Sequence, residues 1–275
     1  MLRLSVFSAR LYLLAAMMLC LAPAAQAEEL TGAEIVQRCD KDANAGHDQR
    51  TILTVILRDS AGNEKKNVYR RYWKDYEGRK KIADKMVLFT QFPPDAKGTG
   101  FMRWGYIPGE GKNAEQWLYL PSLASTRRVS VRDPGDSFLG SDLTYQDISP
   151  RLLSQDDHQL LREETRDGQA YYVVESLPKE SKPLYGKVVA WYEKTANWAD
   201  CNKRRVEFYD TRGQLLKVQS LAWQKVDDAW VWDEVLVDNQ SIGHSSIFRV
   251  TDVSINVGLK DSVFSERTLK RGVKE

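Results

Sequence analysis

Histidine and cysteine are scarce in this chain, three of each among 275 residues. Zinc and most transition-metal sites need such ligands in clusters. There is no H-E-x-x-H, no H-x-H and no Cys/His grouping, so no metal or other cofactor is expected. A charge excess is missing too, with 40 Lys and Arg against 38 Asp and Glu. Nucleic-acid binding and electrostatic membrane coating both call for a basic excess or a basic face. The expected partner is therefore apolar or zwitterionic, and not a nucleic acid. Phosphate loops, dinucleotide fingerprints, internal repeats and interdomain linkers are also absent. Long apolar runs are confined to one place, the N-terminus.

That N-terminus reads as a secretion signal. Arg3 and Arg10 supply a positive start, residues 11–24 (LYLLAAMMLCLAPA) form an apolar run, and Ala25-Gln26-Ala27 has the small-x-small cleavage pattern. A membrane anchor would need about 20 apolar residues. A lipoprotein signal would need a small residue before its cysteine, whereas Cys20 follows Leu19. The expected organisation is a signal peptide over 1–27, cleaved after Ala27, then one domain over 28–275, exported as a soluble monomer. Cleavage takes two arginines and no acidic residue, leaving a formally neutral chain. Cys20 leaves with the signal, and the remaining pair, Cys39 and Cys201, reads as a long-range disulfide.

Most of the body alternates with period two and is rich in β-branched and aromatic residues, the pattern of half-buried strands. Residues 51–57, 67–73, 85–90, 169–176, 187–192, 204–209, 215–223, 229–236 and 246–253 all read this way. Short turn sequences link them, among them Asp167-Gly168 and Arg212-Gly213. Three segments look helical: 31–39 behind a Thr31…Glu34 capping box, a short turn within 144–153 broken by Pro150, and 261–269 before Gly272. The fold class is mostly β, one antiparallel sheet of about 11 strands with a few short helices. A sheet of that size must curl or close. Curling with few helices to fill the concave side leaves room for a cavity, and eight Trp, twelve Tyr and eight Phe are available to line it.

One short stretch raises an enzymatic reading. Gly135-Asp136-Ser137-Phe138 resembles the serine block of GDSL-type lipid hydrolases, in which Ser137 would be the nucleophile. Such a serine needs a histidine to take its proton and a carboxylate to orient that histidine. That family carries its serine block near the mature N-terminus and a D-x-x-H block near the C-terminus. Here the block lies mid-chain, and none of His47, His158 and His244 has an aspartate three residues ahead. His158 is expected in an acidic loop, and the other two at the surface or in turns. Asp133, Asp136, Asp142 and Asp147 lack the spacing of a calcium loop. With Arg127, Arg128 and Arg132 nearby, they read as an ion-pair network. No enzyme is expected.

Read more widely, the same region carries a longer pattern. Trp117, Tyr119, Leu120 and Pro121 form a W-x-Y-L-P strand, followed by Arg127 and Arg128. Ser137, Phe138, Gly140, Ser141 and Asp142 come next, then Tyr145 and Asp147. In this combination the chain resembles the outer-membrane lipoprotein-sorting proteins, LolA-like in fold. Segments 68–75, 92–101, 207–217 and 255–259 extend the resemblance over nearly the whole mature chain.

The resemblance implies a strongly curved, incomplete β-barrel, LolA/LolB-like, with helices across its mouth. It implies a periplasmic carrier of lipid or lipoprotein acyl chains, moving cargo toward the outer membrane. An RND/MMPL-type inner-membrane exporter is the implied partner, and a free lipid, hopanoid-like or otherwise, fits as cargo equally well. A scaffold or accessory module of such an exporter is the alternative. Trp117, Tyr119, Leu120, Pro121, Arg127, Arg128, Phe138, Leu139, Gly140, Asp142 and Tyr145 are the candidate lipid-binding or gating residues. Phe138 and Leu139 are expected to point inward, and Asp142 or Asp147 to pair with Arg127 or Arg128. The loop either closes the barrel mouth or also latches it.

Overall fold

The alternating segments do become strands, and more of them than the pattern announced. The computed structural model describes residues 30–42, 45–109, 111–112, 114–129 and 133–273. The expected signal peptide lies outside the described residues. In chain order the elements are α1 (Gly32–Asp42), β1 (Asp48–Arg58), β2 (Glu64–Asp75), β3 (Ile82–Phe92), β4 (Gly100–Tyr106), β5 (Glu115–Leu120) and β6 (Ser125–Val129). Then follow β7 (Asp156–Arg166), β8 (Gln169–Pro178), β9 (Lys187–Glu193), β10 (Lys203–Tyr209), β11 (Leu215–Val226), β12 (Ala229–Asn239), β13 (His244–Ile255) and α2 (Glu266–Arg271).

Among the described residues all thirteen strands lie in one antiparallel sheet, ordered β6-β5-β4-β3-β2-β1-β13-β12-β11-β10-β9-β8-β7. Each half is a meander. β1 to β6 step outward to one edge, the chain then crosses to the far edge, and β7 to β13 step back until β13 pairs with β1. That central seam runs from Gln49↔Ile255 to Arg58↔Ser245. β6 and β7 do not pair, so the curved sheet is an incomplete barrel.

The strands that the pattern did not single out are β4, β6 and β7. β4 (GFMRWGY) hides behind two glycines and an arginine. β6 and β7 are the sheet edges, and edge strands carry charge that blunts further pairing. β7 (DDHQLLREETR) therefore reads as a polar loop, yet pairs along its length with β8. His158 consequently sits in a strand rather than in an acidic loop. The helix expected in 144–153 does not form; this stretch is a run of turns ending at a one-turn 3-10 segment, Leu153–Gln155. Pro150 leaves no helix long enough to satisfy its own backbone.

Pleating divides the side chains between two faces. The inner face carries the main core: Leu53, Val55, Met86, Leu88, Val174, Ala190, Val206, Leu221, Val235 and Phe248 meet Ile35, Val36 and Cys39 of α1. Thr31 starts that helix as the spacing indicated, its hydroxyl accepting from the Glu34 N–H at 3.2 Å while its own N–H donates to Glu34 Oε2 at 2.9 Å. Cys39 is bonded to Cys201, tying α1 to the start of β10. On the outer face of β2 to β5 a smaller cluster of Tyr72, Val87, Phe89 and Met102 is covered by Phe264 and Leu269 from the C-terminal segment. Each such side chain taken from water is worth about 1.5–3 kcal/mol. Ser265 caps α2, and Gly272, at φ 76°, ends it.

Candidate functional site

The chain between β6 and β7 has to travel from one sheet edge to the other. It does so as a strap against the inner face, and the strap contains the second part of the longer motif, Ser137 to Asp147. Its first part is a miniature hairpin. Phe138 N–H donates to Leu143 O at 2.7 Å and Tyr145 N–H to Asp136 O at 3.1 Å. Ser141 Oγ donates to Phe138 O at 2.6 Å and accepts from Leu143 N–H at 3.2 Å. Leu139 and Gly140 turn the tip with φ of 55° and 72°, a region where glycine costs least. Phe138 points inward as expected, buried between Phe101 and Tyr145 at ring separations of 6.4 and 5.7 Å, and Leu139 packs on the main core.

Two aspartates fasten the strap to the middle of the sheet. Asp142 accepts from Ser246 Oγ at 2.6 Å on β13 and from Asn239 Nδ2 at 2.9 Å on β12. Lys217 on β11 donates to Asp142 O at 2.8 Å and to Asp147 Oδ2 at 2.5 Å. Asp147 also accepts from Tyr185 Oη at 2.8 Å and from Thr144 N–H at 2.6 Å. The Lys217 and Asp147 side chains are only 5% and 1% exposed. Desolvating two charges is offset only when their remaining lone pairs and protons find partners, and here the carboxylate has three donors. Burial pushes the Tyr185 phenol well above its usual range, and the Asp147 charge pushes it further.

This corrects the expected pairing. Neither aspartate reaches Arg127 or Arg128, both of which stand exposed on the β6 edge, where Arg128 pairs with Glu115 at 2.8 Å. Nearness in sequence misled because the strap carries the aspartates away from β6 to the far half of the sheet.

Beside the strap lies a cavity of about 620 Å³ over β7 to β12, within the range of small-molecule sites. Val188, Ala190, Val206, Phe208, Leu221 and Trp223 make its floor. Val36, Gln37 and Asp40 of α1 form one wall, and residues 146–153 of the strap form the other. His158 lines the rim, held by Ser176 Oγ at 2.8 Å and Leu153 O at 3.1 Å.

The structure thus splits the candidate residues into groups. Phe138, Leu139, Gly140, Asp142 and Tyr145 come together in the strap. Trp117 and Tyr119 belong to the opposite face of the sheet, where Trp117 lies 5.1 Å from the Trp104 ring and both join the cluster under the C-terminal segment. Arg128 shares that outer face, opposite Trp117 in register, while Arg127 sits opposite Leu118. Leu120 ends β5, and Pro121 opens an exposed one-turn segment, Pro121–Leu123. Lys217, Tyr185, Asn239 and Ser246 went unread. Lys217 had a signal, since it shares the inward register of its strand with Leu221.

Ser137 donates its hydroxyl to the Ser141 carbonyl. The histidines have other surroundings: His47 lies 3.2 Å from Glu77, His158 is on the cavity rim, and His244 opens β13. Among the described residues no His, Cys, Asp and Glu grouping could hold a metal ion, and no helix is long and apolar enough to cross a membrane.

An open, curved antiparallel sheet whose inner face is roofed by a helix and a strap is the LolA-like fold. Three of the solved structures that share it are similar over most of both chains. An outer membrane lipoprotein-sorting domain, so assigned, from Vibrio parahaemolyticus is 28% identical with a TM-score of 0.74, over 87% of this chain and 98% of that one. A DUF1329 family protein from Desulfovibrio piger is 25% identical with a TM-score of 0.74, over 86% and 97%. A LolA superfamily protein from Nitrosomonas europaea, at 19% identity and a TM-score of 0.61 over 86% and 99%, shares the fold. Residues 83–271 match a family model described only as an uncharacterized protein. The chain belongs to that family, and its fold is LolA-like. No curated protein matches its sequence.

Proposed function

We propose that this protein is a periplasmic carrier that holds the acyl chains of a lipid or lipoprotein and shuttles them toward the outer membrane without covalent chemistry. The observation that supports this most is the cavity of about 620 Å³ with an apolar floor, walled by a strap fastened through one buried ion pair. Moving a dozen methylenes out of water into such a space is worth about 10 kcal/mol, at about 0.8 kcal/mol each. That is enough to hold cargo with no bond made or broken.

The strap serves as gate. Phe138 plugs the inner face and Asp142 and Asp147 hold it down, so release of these contacts opens the cavity. Cleavage after Ala27 delivers the chain to the periplasm, and an RND/MMPL-type inner-membrane exporter hands over the cargo. The long free edge of β7 is a surface on which such a partner can add a strand.

Lipid extraction from the purified protein followed by mass spectrometry tests the carrier reading. A bound acyl lipid is expected, and its consistent absence favours the accessory-module alternative. Replacing Phe138 by Asp abolishes uptake of a fluorescent fatty acid if the plug is part of the gate. Tyr185→Phe, which removes one donor from Asp147, speeds uptake; an unchanged rate in both folded variants rejects gating. Ser137→Ala leaves uptake intact, whereas an ester hydrolysis lost in that variant reinstates the hydrolase.

A further inference from the structure

The inner face of β1 to β5 carries a buried ion pair of its own. Arg103 on β4, 5% exposed, donates to Asp84 Oδ1 on β3 at 2.7 Å. The pair lies flat over Gly105, where a Cβ would come within 2.8 Å of both Arg103 Nη1 and Asp84 Oδ2. Glycine is thus the residue that leaves room for it. Arg71 on β2 donates to Gln49 Oε1 at 2.6 Å and shares the field of the same aspartate. Burial draws the Arg71 guanidinium down to about 10, which Asp84 offsets only in part. Arg71 and Arg103 both lie in the field of the Asp84 carboxylate, whereas Asp75, across from Asp84, accepts from the Glu77 N–H at 2.7 Å.

Polar atoms around these arginines lack partners. Arg103 Nε and Thr51 Oγ1 are buried without a hydrogen bond among the described residues. The Gln116 carboxamide, fully buried, has the Tyr145 hydroxyl near it, and neither of its polar atoms makes a well-formed hydrogen bond among the described residues. A buried cation and buried donors left short of partners are costly unless a ligand completes them. Tyr145 belongs to the strap, and the next residues, Gln146, Asp147 and Ser149, line the apolar cavity. The two regions therefore adjoin across one segment of chain.

We propose that Arg71, Arg103, Thr51 and Gln116 form a subsite for the carboxylate or phosphate headgroup of an amphiphile whose tail occupies the cavity. The anion supplies a partner for Arg103 Nε and Thr51 Oγ1, and Tyr145 moves with the strap as the headgroup enters. This deepens the carrier reading and rests on it.

Titration calorimetry of the mature chain with dodecanoate, dodecyl phosphate and dodecanol tests it, with acetate and inorganic phosphate as headgroups without a tail. The two anionic amphiphiles are expected to bind about tenfold or more tighter than dodecanol, the worth of a charge-assisted hydrogen bond. In Arg103→Gln, and separately in Arg71→Gln, that ratio falls toward one. Far-UV circular dichroism and retained dodecanol binding identify the variants that fold. Equal binding of all three amphiphiles by the wild type, or an unchanged ratio in both folded variants, overturns the subsite while leaving the carrier intact. Acetate or phosphate binding as tightly as the amphiphiles makes the site one for free anions and overturns the headgroup assignment. Binding of none of the amphiphiles overturns the carrier reading, and this inference with it.

Discussion

The two halves of the inner face are built from the same kind of strand and furnished in opposite ways. β9 to β11 present Val188, Ala190, Val206 and Leu221 to a cavity. β2 to β5 present Arg71, Asp84, Arg103 and Gln116 at the same inward register. Apart from Lys217 and the Arg151–Asp156 pair, the cavity half needs only a roof, since apolar surface is satisfied by any apolar neighbour. The polar half is demanding, because each buried donor wants a partner of defined position. The strap stands between them and is fastened by a charge pair on the apolar side, where loss of one partner costs most.

That contrast can be broken most severely at Lys217. Lys217→Met leaves the Asp147 carboxylate buried without its cation, and a loss of about 3–5 kcal/mol is expected. Urea unfolding measures it, and hydrogen exchange should show strap residues 133–149 losing protection first. Next comes the roof of the apolar half. Opening the Cys39–Cys201 link, which spans a sequence separation of 162, by Cys39→Ser with Cys201→Ser should cost about 2–4 kcal/mol. Faster exchange in α1 than in β1 to β5 would place that loss on the apolar side. Leu269→Ala acts on the other half, stripping a fully buried side chain from the outer face of β4. A cost of about 2 kcal/mol is expected, the low end for such truncations because a chain terminus relaxes readily. Fatty-acid uptake should stay unchanged, since that face is not the cavity.

The smallest effect is a pH dependence at Asp261, which holds the C-terminal segment to the polar half. Burial pushes its carboxyl up, but the Tyr76 hydroxyl and the Lys74 and Lys85 charges outweigh this and hold it below its usual range. A folded value below the unfolded one means that its stabilisation is present above the unfolded pKa and fades as pH falls through the folded one. Wild type and Asp261→Asn should therefore differ in thermal midpoint at pH 7 and converge below about pH 4. A difference that persists at pH 2.5 would show that packing, not charge, accounts for it.

How far the site was legible follows the same division. Strand alternation in residues 51–57 or 187–192 is a local property, and the strands formed where it appears. β7 was missed because an edge strand has no second neighbour to demand alternation. Phe138 and Leu139 could be read as inward because they are the apolar pair in a polar loop. Asp142 and Asp147 could not be assigned partners, since Ser246 and Lys217 lie 104 and 70 residues away in sequence. Trp117 and Tyr119 were grouped with the strap by adjacency along the chain, and pleating sent them to the other face.

From the sequence alone came the all-antiparallel β class, the capped first helix, the Cys39–Cys201 pairing and the motif of a LolA-like protein. Each rests on local periodicity, on a count of possible partners, or on a pattern contiguous in the chain. Only the tertiary structure decided that the strap crosses from edge to edge, that Lys217 fastens it, and that Arg71 and Arg103 both face the Asp84 carboxylate. Those contacts join residues far apart in the chain, and their strength depends on exclusion from water, which no local spacing encodes.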